Sequence, residues 1–203
     1  VYLTQDDVVA AGGNMAQPIQ SVEQVLSLHE RGDVVLPSKV ILDLDERRHG
    51  RINAMPAYVG GDVKMCGIKW IAGFPNNPTR YGLPRANALI VLNDSQTGLP
   101  LAIMEGTQIS ALRTGAVTGV GAKYLARSDS RVVALIGAGV QSWTQLEALR
   151  SVLSQISEVR VFDICREAAE SFAQRCRQSV NGISANAADS PEDAVRGADI
   201  VVT

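Results

Sequence analysis

The spacing of apolar and polar positions changes several times along the chain, and each change marks an element. Over residues 4–32 the apolar positions recur at helical spacing, with Val22, Val25, Leu26 and then His29 on one side. Thr4 followed by Asp6 and Asp7 suits a helix start, so a helix is predicted across this stretch. From Val34 the period shortens. "VVLPSKVILDL" and, after a polar turn, "RINAMPAYVGGDVKMCGIKWIAG" are β-branched and apolar runs interrupted by Pro and Gly-Gly. "ANALIVLND", the turn "SQTG" and "LPLAIM" predict a hairpin of two buried strands. Residues 1–126 therefore read as an α+β unit with a sheet of several strands.

A long helix is predicted at the end of that unit, over residues 107–126. Ile109, Leu112, Ala116, Val120 and Ala122 give it an apolar side, and Gly115, Gly119 and Gly121 permit very close packing. The Gly115–Gly119 spacing resembles a membrane dimer motif, but Arg113 and Lys123 in the same helix argue for a packed bridge between two units instead. Beyond it, strands at 132–136, 159–163, 183–186 and "DIVVT" alternate with helices at 142–153, 166–178 and 191–196. Such alternation argues for a parallel sheet covered on both faces. The fold class expected is thus α/β: a Rossmann-type domain at 127–203 joined to the α+β unit. A doubly wound fold has two halves and the sequence ends inside the fourth strand, so the chain reads as a fragment of a longer protein with an unpaired sheet edge.

Composition narrows the function classes. A length of 203 residues, 46% of them hydrophobic, suffices to bury cores for two units. The 19 basic and 21 acidic side chains are mixed along the sequence, so no basic stripe offers itself to nucleic acid. Cys66, Cys165 and Cys176 are too few and too widely spaced for a disulfide framework or a zinc site, and no metal is expected. His29 and His49 lie in polar segments and are expected to face water. Without a signal peptide, or an apolar run near the ~20 residues that span a bilayer, the expectation is a cytoplasmic protein with no membrane contact.

The stretch "RVVALIGAGVQSW" carries the most specific signal. Gly137 and Gly139 follow a predicted strand directly and open a helix, and Asp163 ends the next strand. The first glycine permits the tight turn and the second lets a pyrophosphate approach the backbone, while the helix N-terminus offers N–H groups and a positive dipole end. Asp163 lies 26 positions after Gly137 and can accept both hydroxyls of a ribose. Its charge repels a 2′-phosphate, which favours NAD over NADP. The third small position is Ser142 instead of glycine.

Two lysines interrupt apolar strands. Alternation places Lys69 with Val63, Met65 and Ile71, opposite Cys66, Ile68 and Trp70, and places Lys39 with Val35 and Ile41. A lysine on an apolar face either meets an anion or snorkels to solvent. Arg113 adds a third cation, and three cations from separate elements suggest a pocket for a substrate carboxylate. Arg80 and Arg85, in the loop "FPNNPTRYGLPR", are either a second carboxylate site or simply solvated.

"MPAYVGG", "GIKW", "EGTQISALRTGA" and "IGAGVQ", in this order, resemble the ornithine cyclodeaminase/mu-crystallin family across essentially the whole chain. "AMPAYVGG", "CGIKWIAGFPNN" and "GLPRANALIVLND" look most like the branch that makes 2,3-diaminopropionate for siderophores and peptide antibiotics. That branch uses NAD to convert N-(2-amino-2-carboxyethyl)-L-glutamate to 2-oxoglutarate and L-2,3-diaminopropionate. The resemblance implies that Lys69 contacts the substrate carboxylate near the reacting carbon and is the catalytic residue within this sequence. It assigns Lys39 and Arg113 to carboxylate binding as well; Lys39 stands in "PSK", where many relatives have arginine. Arg113, Thr114, Gly137, Ala138, Gly139, Val140, Gln141 and Asp163 are implied to hold the NAD. Where cyclodeaminases carry a glutamate before "MP", this chain has Asn53, which speaks against cyclodeamination. The family's catalytic aspartate, and with it the general base, falls beyond Thr203, and a homodimer through the sheet of the first unit is implied. The competing expectations are an ornithine or lysine cyclodeaminase, a ketimine reductase, and a non-catalytic crystallin-like binding protein.

Overall fold

A computed structural model of the chain describes residues 1–44 and 50–203; His49 lies outside the described residues. The chain forms two compact units, each with its own sheet. One consists of residues 1–14 and 23–110, the other of residues 15–22 and 111–203. The sequence pattern puts the boundary at 126/127; the compact units part instead between Ser110 and Ala111.

The first unit begins with β1 (Tyr2–Leu3) and α1 (Gln5–Ala11). Thr4 caps α1 as the sequence suggests: its hydroxyl accepts from the Asp7 N–H while the Asp7 carboxylate accepts from the Thr4 N–H at 2.8 Å. The helix expected across residues 4–32 is two helices, because Gly12, Gly13 and Asn14 interrupt it before α2 (Ala16–Glu30). His29 is exposed in the last turn of α2, where a basic side chain suits the dipole. Then come β2 (Val34–Val35), β3 (Val40–Asp43), β4 (Arg51–Val59), β5 (Met65–Gly73), the short α3 (Asn77–Tyr81), β6 (Ala86–Asp94) and β7 (Pro100–Glu105). Val63, grouped above with the face of Lys69, lies in the turn before β5.

Among the described residues these strands make a seven-stranded sheet in the order β1-β7-β6-β5-β4-β2, with β3 also on β4. All pairs are antiparallel except β1 with β7. The β6–β7 hairpin is not buried as expected. Ala88 is its one buried residue, and Leu89, Leu101 and Ile103 are exposed. One face of an antiparallel sheet is free to stay uncovered within its own unit, and apolar residues on both faces of a strand then do not imply burial.

α4 (Thr107–Leu125) leads into the second unit, followed by β8 (Val132–Ile136), α5 (Val140–Val152), β9 (Glu158–Phe162), α6 (Arg166–Ser179), β10 (Ser184–Ala187), α7 (Pro191–Val195) and β11 (Ile200–Val202). These strands form a wholly parallel sheet in the order β10-β9-β8-β11. Val133, Leu135, Val159 and Val161 bury one face under Leu146, Leu149, Phe172, Ala173 and Cys176 of α5 and α6. Ala134 on the other face packs against Ala194 of α7. Each fully buried valine or leucine contributes about 1.5–3 kcal/mol, so this small core accounts for much of the unit's stability. Burial pushes the Cys176 thiol up to about 11, which makes it an inert core residue.

The glycines of α4 are not equivalent. A Cβ on Gly115 would come within 2.5 Å of the Thr144 carbonyl oxygen of α5, and one on Gly119 within 3.0 Å of Ile19. Gly121, expected to serve the same close packing, has nothing within 4 Å. Gly115→Ala should therefore cost about 1–3 kcal/mol, since helix backbone rather than a side-chain tip must move. Gly121→Ala should be neutral or stabilising by up to about 1 kcal/mol. Urea unfolding midpoints of the two variants will show the contrast.

Candidate active site

β5 is the strand that presents Lys69. In an antiparallel ladder directly opposed residues share a face, so the pairings Met55–Lys69, Lys69–Ile90 and Ile90–Met104 place the lysine in an apolar row across four strands. The side chain is half-buried and its ammonium donates to Ser110 Oγ at 3.1 Å. Ser110 is 8% exposed, in the first turn of α4. That turn is fixed by Glu105, whose carboxylate accepts from the Thr107 N–H at 2.6 Å and the Gln108 N–H at 3.2 Å. An acidic group at a helix N-terminus is the favourable charge there.

Asn53 belongs to the same face, opposite Ile71 and diagonal to Lys69. Its Oδ1 is buried and lacks a hydrogen-bond partner among the described residues. A buried orphan acceptor is costly by about 1–3 kcal/mol, and such atoms persist where a ligand supplies the missing donor.

Lys39 does not meet the expectation of a lysine inside an apolar strand. It precedes β3, it is exposed, and its supposed face-mates Val35 and Ile41 are exposed as well. The desolvation argument for an anion therefore does not apply to it. The β3–β4 ladder pairs Val40 with Ala54, so position 39 follows on next to Met55, the residue paired with Lys69. Arg113 is likewise exposed, on α4 two residues before the Gly115 contact with Thr144, with Thr114 half-buried beside it. Arg80 and Arg85 are exposed on and after α3.

The glycine turn has the geometry its sequence suggests. Gly137 has φ +113°, a conformation that side-chain-bearing residues rarely adopt. Gly139 is the N-cap of α5, contributes no side-chain cap, and would carry a Cβ into open space. The helix N-terminus is thus bare and approachable, which fits a pyrophosphate. Ser142 closes the turn by donating from Oγ to the Gly137 carbonyl at 2.7 Å. Asp163, just after β9, accepts from the Ala138 N–H at 2.8 Å through Oδ2 and from the Cys165 N–H at 2.9 Å through Oδ1. The acid and the turn are therefore one assembly, at the sheet position where strand order reverses between β8 and β11. Val140 is exposed and Gln141 belongs to the same first turn.

Sequence reasoning missed three participants. Ser110 sits in a helical pattern that gives no hint of its partner 41 positions away. The orphan oxygen of Asn53 is a property of packing. Trp143, in the first turns of α5, lies edge-on to Phe172 at 5.8 Å and under the Arg175 guanidinium at 3.5 Å, which fixes α5 to α6 near the turn.

A cavity of about 480 Å³ opens in the first unit, lined by Trp70, Ala72, Leu89, Glu105, Thr107 and Gln108. Trp70, Ala72 and Leu89 belong to the sheet face opposite to that of Lys69. No cluster of potential metal ligands occurs among the described residues.

The sequence model of the ornithine cyclodeaminase/mu-crystallin family matches residues 2–203. The chain belongs to that family. The alanine dehydrogenase of Archaeoglobus fulgidus is 40% identical over 203 residues, covering 100% of this chain and 59% of the relative. The N-((2S)-2-amino-2-carboxyethyl)-L-glutamate dehydrogenase of Staphylococcus aureus is 35% identical over 207 residues, covering 100% and 62%. Among solved structures, Delta(1)-pyrroline-2-carboxylate reductase of Thermococcus litoralis, in complex with NADH and L-proline, superposes with a TM-score of 0.92 at 38% identity, over 99% of this chain and 60% of that one. The chain thus spans about three fifths of the length of the family members it matches.

The Asp163 contact with the turn is directly measurable. Asp163→Ala should speed hydrogen–deuterium exchange of the Ala138 and Cys165 amides about tenfold or more, the usual worth of a hydrogen bond to a charged acceptor. Asp163→Asn, which keeps an acceptor, should fall between that variant and the wild type when followed by amide-resolved exchange.

Proposed function

We propose that this chain provides substrate-holding and cofactor-holding elements of an NAD-dependent oxidoreductase acting at a CH–NH bond of an amino-acid derivative. The observation that carries the reading is the glycine turn joined to Asp163 beside a bare helix N-terminus. The acid favours the free 2′-hydroxyl of NAD. Arg160 and Arg166, each three residues from it, are paired with Glu158 at 2.6 Å and with Glu170 at 2.8 Å and Asp189 at 2.6 Å respectively, rather than set aside for a 2′-phosphate. NAD supplies the acceptor for a hydride leaving the substrate's α-carbon.

The chain's own residues would bind and orient the substrate. Lys69 meets a carboxylate with a charge-assisted hydrogen bond, and Arg113 and Lys39 are the further carboxylate ligands of the proposal. Asn53 Oδ1 is a buried acceptor suited to an N–H of the substrate. The substrate proposed is N-(2-amino-2-carboxyethyl)-L-glutamate. Loss of hydride from the glutamate α-carbon and of a proton from nitrogen gives an imine. Water adds to it, and the carbon–nitrogen bond breaks to release 2-oxoglutarate and L-2,3-diaminopropionate. Siderophore or antibiotic biosynthesis is the setting proposed for that product.

Incubation of the full-length protein with NAD and this substrate should generate NADH absorbance. Lys69→Ala should lower kcat/KM about a hundredfold or more by removing a carboxylate's partner, with NAD affinity unchanged. NADH from L-alanine alone would replace the substrate assignment. Proline formed from ornithine would replace it with cyclodeamination, and ligand binding without turnover of any of these would make the protein a binding module.

We also propose that the protein is a homodimer through the sheet of the first unit. The face with Val40, Leu42, Trp70, Leu89 and Ile103 leaves all five side chains exposed, a larger apolar patch than lone molecules in water usually tolerate. A solved archaeal alanine dehydrogenase, 40% identical, is a dimer with bound NAD. The double variant Trp70→Asp with Leu89→Asp should halve the mass measured by light scattering, while Lys39→Asp should leave it unchanged.

A further inference from the structure

The first turn of α4 rests on the sheet face that carries Lys69. The Gly106 N–H donates to the Ala88 carbonyl at 2.8 Å, and the Ala88 N–H donates to Thr107 Oγ1 at 3.0 Å. A Cβ on Gly106 would come within 3.0 Å of Ile90 and 3.2 Å of the Ala88 methyl. Ala88 and Ile90 are the β6 partners of Ile71 and Lys69, so the helix start is docked one strand away from the ammonium. Ser110 follows, its N–H bonded to the Gly106 carbonyl at 2.8 Å, and its hydroxyl accepts from Lys69 Nζ.

We propose that Ser110 is a positioning residue for Lys69: its hydroxyl fixes the direction of the ammonium over the sheet face, through a helix turn that is itself tied to the neighbouring strand. A lysine stem has four rotatable bonds, and the row that carries this ammonium is otherwise made of the apolar Met55, Ile90 and Met104. A buried hydroxyl within hydrogen-bond distance gives the ammonium a defined direction. Ser110 acts through Lys69, and the assignment rests on the proposed function only for the identity of the substrate.

The test is competitive acetylation of the native full-length protein, with the Lys69 and Lys39 peptides quantified by mass spectrometry; Lys39 is exposed and serves as internal reference. Loss of the acceptor leaves the Lys69 amine less fixed in direction and more open to the reagent. The Lys69-to-Lys39 labelling ratio should therefore rise about three- to tenfold in Ser110→Ala and in the near-isosteric Ser110→Cys, the range of one hydrogen bond. Ser110→Thr keeps the hydroxyl and should keep the wild-type ratio. With N-(2-amino-2-carboxyethyl)-L-glutamate as probe, the Ala and Cys variants should raise substrate KM while leaving the KM for NAD unchanged. An unmoved ratio in Ser110→Ala and Ser110→Cys, or a raised one in Ser110→Thr with unaltered thermal unfolding, overturns the role whatever turnover shows. A ratio that moves as stated in a protein that oxidises none of the substrates upholds Ser110 and rejects the proposed reaction instead.

Discussion

An ammonium on an apolar sheet face is the constraint from which the first unit is best understood. Lys69 stands in a row with Met55, Ile90 and Met104, none of which solvates charge. The cost of holding a cation there is several kcal/mol unless polar groups are brought to it. The fold answers by laying the first turn of α4 on β6 and capping it with Glu105, so that a buried hydroxyl arrives at the ammonium. The helix start, the capping acid and the strand register are thus parts of one arrangement around a single charge. The buried oxygen of Asn53 on the same face adds an acceptor that has no partner among the described residues.

The second unit meets the complementary problem with backbone. Its turn after β8 exposes N–H groups at the start of α5 and keeps side chains away from them, with Gly137 in a conformation closed to other residues and Gly139 facing open space. Such a loop is held only if something fixes it from behind. Asp163 does so from the next strand, and Ser142 from within. The same acid that pins the turn is the one proposed to read the ribose, so in that proposal cofactor choice and loop geometry depend on one side chain.

Much of this was legible in the sequence because the signals are local. Strand β8 occupies the predicted residues, and the alternation of strand and helix beyond it gives the parallel sheet and its order of elements. The capping of α1 by Thr4 and Asp7 is likewise a short-range pattern. What was not legible depends on partners far along the chain. Val35, Lys39 and Ile41 look like one strand face, but the Leu-Pro-Ser segment separates β2 from β3 and leaves all three exposed. Gly121 looks like Gly115, yet only Gly115 has a helix backbone against it. Ser110 looks like an indifferent helical serine until the strand that opposes it is known.

The period of two in β5 has a consequence for how the unit divides its tasks. Lys69 and Trp70 are consecutive, so one points to the face with Asn53 and Ser110 and the other to the face with Leu89 and the cavity. A slip of one residue would exchange them, taking the ammonium away from Asn53 and Ser110 and putting the indole beside those polar groups. The register is therefore under strong constraint, and the structure shows where it is held. A Cβ on Gly67 would collide with the Val91 carbonyl, so β5 fits against β6 only with a glycine at that step. One residue further on, the β6–β7 ladder shifts between Leu92 and Asn93, which stops regular pairing from sliding along the hairpin. A glycine and a bulge at one end of the strands thus keep Lys69 on the side of Asn53 and Ser110 and Trp70 on the side of the cavity, two roles set by adjacent residues of a single strand.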